Sequence, residues 1–174
     1  MTKIYATYDL SAGPLNFKFE YNPEETAALH KKLNGASAIT ADDLRQVSLW
    51  KSDRTLNVSD QTLEKLAELS VKMHVTIDDP IVKEVLEMLV DSQGIGLPMA
   101  SSILKFINPK VFPIIDVRAY RALTGTKAHQ RTYTIDNYIA YTKQLTAIAA
   151  KWNRPLRDID EQLYCFDKKH NKKI

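Results

Sequence analysis

Residues 94–104 read Gly94-Ile95-Gly96-Leu97-Pro98-Met99-Ala100-Ser101-Ser102-Ile103-Leu104, and the fold of the chain turns on them. Before them, Pro80 opens a run in which Val82, Val85, Leu86 and Leu89 recur at helical spacing, and Ser92-Gln93 ends it. Pro98 then begins a second run with Ala100, Ile103, Leu104 and Ile107 on one face. The spacing predicts two helices joined by a short turn that holds two glycines. Glycine permits positive φ and lets a foreign backbone approach closely. The amides of Gly96 and of the first helical turn have no intrahelical acceptors, and such a helix start binds anions. A phosphodiester is the natural candidate, contacted as phosphate and not as sequence. A plain αα-hairpin, its glycines only tightening the corner, is the other reading of the same residues.

Outward from this pair the chain continues as helices. Pro23 starts one that Asn34-Gly35 stops, and Thr40 caps the next, with Asp42 and Asp43 in its first turn. Ser52-Asp53 opens a loop to Val58, and Ser59 caps a third helix. Downstream, Asp116 caps a short helix to Leu123, and a polar loop spans 124–133. A long helix then carries Ile135, Tyr138, Ile139, Leu145, Ile148 and Trp152 at helical spacing, and Pro155 opens the last. Only the beginning differs. Residues 4–10 and 15–21 read as strands, the second alternating Leu15, Phe17, Phe19 and Tyr21 with Asn16, Lys18 and Glu20. Ser11-Ala12-Gly13-Pro14 between them is a turn, which predicts a β-hairpin. The expected architecture is mainly α: a helical domain over 23–174 with a small β-hairpin appendage over 1–22.

The 174 residues, 44% of them hydrophobic, suffice for one domain with a proper core. No apolar run approaches the roughly 18–20 residues of a membrane span, and the first residues lack the apolar stretch of a secretory signal. A cytoplasmic protein is expected. Cys165 is the one cysteine, so neither an internal disulfide nor a cysteine-ligated cluster can form, and no metal or other cofactor is expected. The net charge of +3 conceals an asymmetry. Residues 1–93 carry 10 Lys and Arg against 15 Asp and Glu, whereas 94–174 carry 14 against 6. A basic half of this kind suits a polyanionic partner, although helices also carry charge simply to solvate an outer face.

The hairpin is followed by Phe112-Pro113-Ile114-Ile115-Asp116 and, on the next helix, by Arg121. With Gly94, Ile95, Gly96, Ala100 and Ile103, these residues resemble the helix-hairpin-helix DNA glycosylase superfamily over about residues 93–123. Ser92-Gln93 stands where the family has Leu-Pro, Met99 where it has Thr or Ser, and Val117-Arg118 where Thr-His is common. The resemblance implies a helical bundle of that type, with Asp116 as the catalytic carboxylate. It also sets Gly94, Gly96, Pro98, Met99, Arg118 and Arg121 against the DNA backbone. The chemistry is coherent on its own terms. Cleaving an N-glycosidic bond builds positive charge on the sugar, and a fixed carboxylate stabilises that charge or orients the attacking water. As a plain N-cap, Asp116 needs no catalytic role.

Family members that also cut the strand carry a Schiff-base lysine four residues after the first hairpin glycine. Here that residue is Pro98, 18 residues before Asp116, and it has no nucleophile. The resemblance thus implies a monofunctional enzyme that leaves an intact abasic site. Lys105 lies mid-helix and is expected to face solvent, whereas Lys51 is a lysine that tertiary contact can bring to the pocket. Trp50, Lys51, Arg54 and Tyr120 are candidates for a base pocket, against a core role for Trp50 and solvated cations. Tyr138, Tyr141 and Trp152 read as core. Lys127, His129, Arg131 and the tail Lys168, Lys169, Lys172 and Lys173 are possible backbone contacts or merely exposed. The implied partner is double-stranded DNA with a modified base, met by a monomer, in a prokaryote at the nucleoid. Alkylated bases and the hypermodified cytosines of phage DNA, such as glucosylated hydroxymethylcytosine, are the substrate classes in view, for repair or defence. A non-catalytic DNA-binding module and a helical interaction protein are the competing functions.

Overall fold

The computed structural model describes residues 5–19, 22–52, 56–72 and 74–171. Among them eight α-helices follow in order: α1 Pro23–Leu33, α2 Ala41–Ser52, α3 Asp60–Val71, α4 Pro80–Asp91, α5 Leu97–Ile107, α6 Val117–Thr124, α7 Ile135–Trp152 and α8 Leu156–His170. Each starts where local chemistry directs it. The Ser59 side chain accepts from the Thr62 amide, and that of Thr134 from the Asn137 amide. Thr40 and Asp43 cap α2 reciprocally: Thr40 donates its amide and hydroxyl to the Asp43 carboxylate, and its own Oγ1 accepts the Asp43 amide. Prolines sit in the first turns of α1, α4 and α5, where their missing N–H costs nothing.

Sequence pattern also explains the layering. In α5 every residue except Pro98 is buried, as expected of a helix apolar on all sides. It runs through the middle of the N-terminal helices, touching α1, α2, α3 and α4. Its Ser101 and Ser102 are small, and both return their hydroxyls to the Pro98 carbonyl, so neighbours approach closely without an unpaired polar atom. A second group forms where α6 and α7 pack on α8, and α4 meets α7 to join the two. No helix is long and apolar enough to cross a membrane among the described residues.

Among the described residues the N-terminal β-hairpin is absent. Residues 5–19 contain no strand, and Leu10–Ala12 is a single 3-10 turn capped by Asp9. The period-2 pattern holds, since Leu15, Phe17 and Phe19 are half-buried while Asn16 and Lys18 are exposed. What differs is the partner. The Gln162 side-chain amide accepts from the Phe17 N–H and donates to the Phe17 carbonyl, and Asn171 does the same for Ala6. Two amide side chains of the α8 region therefore complete backbone pairs that a second strand was expected to fill. The Tyr8 backbone N–H donates a hydrogen bond to the Ala122 carbonyl, and its ring makes edge-on contacts with Trp152 and Phe166. Residues 5–19 are accordingly packed onto the helices.

Lys105 is a second correction. It is 2% exposed, and its ammonium donates to both oxygens of Asp160, to Glu161 and to the Arg157 carbonyl. Burial opposes its charge, yet the two carboxylates outweigh that and raise its pKa.

Candidate active site

The segment before Asp116 is extended, apolar and buried, with Phe112, Pro113, Ile114 and Ile115 all inside. An extended buried segment without a strand partner leaves backbone groups that must be paired elsewhere. Side chains from three helices supply the pairs. Tyr138 and Tyr141 of α7 donate their hydroxyls to the Pro113 and Ile114 carbonyls at 2.9 and 3.1 Å. Asp160 of α8 accepts from the Ile114 amide at 2.9 Å, and Ser101 of α5 accepts from the Ile115 amide at 3.2 Å. The connector is thereby clamped, and so is the position of the next residue.

That residue is Asp116, the N-cap of α6. Its Oδ1 accepts from the amides of Arg118 and Ala119, both at 2.7 Å. Its Oδ2 has no hydrogen-bond partner among the described residues. One oxygen thus fixes the carboxylate by capping, and the other has no partner among the described residues. Asp116 is half-buried and lines a pocket of about 280 Å³, near the lower end of the size of small-molecule sites.

Four of the residues singled out from sequence meet in this pocket: Asp116, Trp50, Lys51 and Arg118. Trp50 forms a wall and is itself core, 5% exposed, edge-on to Phe106 and hydrogen-bonded through its indole to Thr26. Lys51, half-buried at the end of α2, makes no hydrogen bond or ion pair with another described residue. Burial lowers its pKa; Asp116 and Asp160 oppose that, and Lys105 adds to it. Arg118 reaches Asp167 at 3.1 Å and lies 5.9 Å from the Tyr164 ring centroid.

The other expectations fare differently. Arg121 is 1% exposed, forked onto Asp167 at 2.7 and 2.6 Å with the Tyr5 ring 4.6 Å from its guanidinium carbon, so as placed it cannot face a DNA backbone. Tyr120 packs towards Tyr141 and does not line the pocket. Arg54 lies outside the described residues. Met99 is buried, and its amide is spent on the Gly96 carbonyl at 2.9 Å, while Pro98 has no amide to offer. The hairpin nevertheless leaves several amides without acceptors. Among the described residues the amides of Gly94, Gly96 and Leu97 have no acceptor, and both glycines are exposed. Gly94 adopts φ +83°, whereas Gly96 is extended and a Cβ there meets nothing nearer than Pro98 Cδ at 3.8 Å. The chain's own packing does not require glycine at 96; an approaching partner backbone would.

Sequence reasoning missed Phe19, Asp160, Glu161 and Tyr164, which complete the pocket wall. The spacing of Asp160 and Tyr164, four apart on one helix face, was a usable signal. Phe19 was not accessible that way, because it belongs to the segment expected to pair as a hairpin. No group of three or more His, Cys, Asp or Glu among the described residues has an arrangement able to hold a metal ion. No protein-family model, curated protein or solved structure matches this chain.

Proposed function

We propose that this chain is a DNA glycosylase of the helix-hairpin-helix type, which everts a modified base and hydrolyses its N-glycosidic bond to leave an abasic site. The observation that carries the reading is the state of Asp116. Its carboxylate is immobilised through one oxygen, has no partner among the described residues at the other, and is set in the wall of a pocket that also holds aromatic side chains, Lys51, Arg118, Asp160 and Glu161. The base enters beside Trp50, Phe19 and Tyr164, aromatic side chains of the type that stack on bases. As the C1′–N bond lengthens, positive charge grows on the sugar. Asp116 Oδ2 stabilises that charge and orients the water that attacks C1′. Arg118 and the open amides of Gly94, Gly96 and Leu97 hold phosphates, giving affinity without sequence preference. The connector clamp supports the scheme, because a carboxylate held by fixed neighbours loses nothing to reorganisation when charge develops.

The cap itself favours a second reading, a DNA-binding module in which Asp116 only starts α6. A panel of duplexes decides between them, carrying alkylated purines, uracil, mismatched thymine, 5-substituted cytosines and glucosylated hydroxymethylcytosine. Purified protein is scored for abasic sites. Product from the native chain that disappears in Asp116→Asn supports catalysis, and product undiminished by that change rejects the role of Asp116. Salt-dependent duplex binding with no product from any member leaves the binding module, and Gly96→Ala, which the chain accommodates, should then weaken it.

A further inference from the structure

Pro98 leaves the hairpin without an amine, but the pocket is not without one. Lys51, at the end of α2, lines it together with Asp116 and forms no hydrogen bond or ion pair with another described residue. This sets it apart from the other buried lysine. Lys105 is committed to Asp160, Glu161 and a backbone carbonyl, and those contacts keep it protonated. A lysine within a partly apolar pocket, with no hydrogen bond to another described residue, has a free electron pair within reach when it loses its proton.

We propose that Lys51 is an amine nucleophile towards an aldehyde carbon held in this pocket. The inference rests on the glycosylase reading for the identity of that carbon. Hydrolysis leaves a deoxyribose whose ring-opened form is an aldehyde at C1′. The neutral Nζ adds to C1′, forming a C–N bond, and the resulting carbinolamine loses its hydroxyl as water. The nitrogen gives up both of its hydrogens in the process, so the products are an imine and one water. No oxidant or second reactant is needed. Burial lowers the Lys51 pKa and so enlarges its neutral fraction. Asp116, unengaged at Oδ2, is placed to take up and return the protons that move.

The test uses the full chain and a duplex with a preformed abasic site, which bypasses base removal altogether. Sodium borohydride delivers hydride to the imine carbon and converts it to a stable secondary amine, seen as a covalent protein–DNA band on a denaturing gel. The expected result is a trapped band from the native chain, mapped by peptide mass spectrometry to Lys51 and reduced at least tenfold in Lys51→Met. A native chain that gives no band, an undiminished band in the variant, or a mapped adduct on another amine each overturns the proposal. Mapping on the native chain keeps the test decisive if Lys51→Met folds poorly. Failure of the underlying reading is distinguishable: a Lys51 adduct without base release from any modified duplex overturns the glycosylase function alone, and base release without an adduct overturns only the role of Lys51.

Discussion

Removing the Asp167 carboxylate should be among the most damaging single changes in the molecule. Asp167 is fully buried and accepts four hydrogen bonds: two from Arg121, one from Arg118 at 3.1 Å and one from Asn171 at 2.8 Å. Asn171 in turn holds both backbone groups of Ala6. One carboxylate therefore joins α6, α8 and the N-terminal segment. In Asp167→Leu the Arg121 guanidinium, 1% exposed, keeps its charge and loses its counter-charge. Breaking a buried pair from one side costs about 3–5 kcal/mol. Against a total stability of about 5–15 kcal/mol that is a large fraction, and at this chain length it lowers the melting midpoint by about 6–20 °C. Replacing both members, as Arg121→Met with Asp167→Leu, removes the stranded charge, and buried pairs replaced by apolar residues of similar volume are often near neutral. Arg118, at 19% side-chain exposure, can still turn to water. Urea unfolding of the four proteins of this double-mutant cycle measures the coupling directly. A loss under about 1 kcal/mol in Asp167→Leu, or a double variant no more stable than that single one, refutes the reasoning.

Three further outcomes are expected. Asp116→Asn retains a side chain that caps as well as aspartate, so its unfolding free energy stays within about 0.5 kcal/mol of the native chain, whereas Asp116→Ala loses about 1 kcal/mol; base release should fall at least about 100-fold in both. His30 is depressed from 6.5 to about 4, first by burial and then by Lys105 and Arg157. The unfolded chain binds the extra proton between those values, so stability is unaffected above pH 6.5 and falls as pH drops towards 4. Urea midpoints at pH 7 and 4.5 should converge in His30→Phe relative to the native chain, and an unchanged difference counts against the assignment. Tyr141→Phe strips the donor from the buried Ile114 carbonyl and should cost about 1–3 kcal/mol by thermal melting, with a reduction in base release if the connector clamp positions Asp116.

The clamp also shows why part of the site was illegible in advance. Asp116 and the hairpin could be found because their signals are local: a capping aspartate after an apolar run, and glycines between two periodic segments. Nothing near Ile114 announces that its amide will need Asp160, 46 residues away. The same limit misplaced Arg121 and Lys105. A cation on a helix surface is solvated unless an opposing helix brings a carboxylate, and Asp167 and Asp160 both come from α8.

The amino-acid order by itself determined where the eight helices of the described residues begin, because capping, proline geometry and apolar periodicity act within a few residues. It also determined that burial alternates along residues 15–19. Only the tertiary structure decided what that segment pairs with, since the Gln162 amide competes successfully with a second strand for the same backbone groups. It likewise decided that Phe19, Lys51, Asp116 and Asp160 share one pocket. Residues so distant in the chain meet only when buried faces dock, and that docking is driven by the core as a whole and not by any local motif.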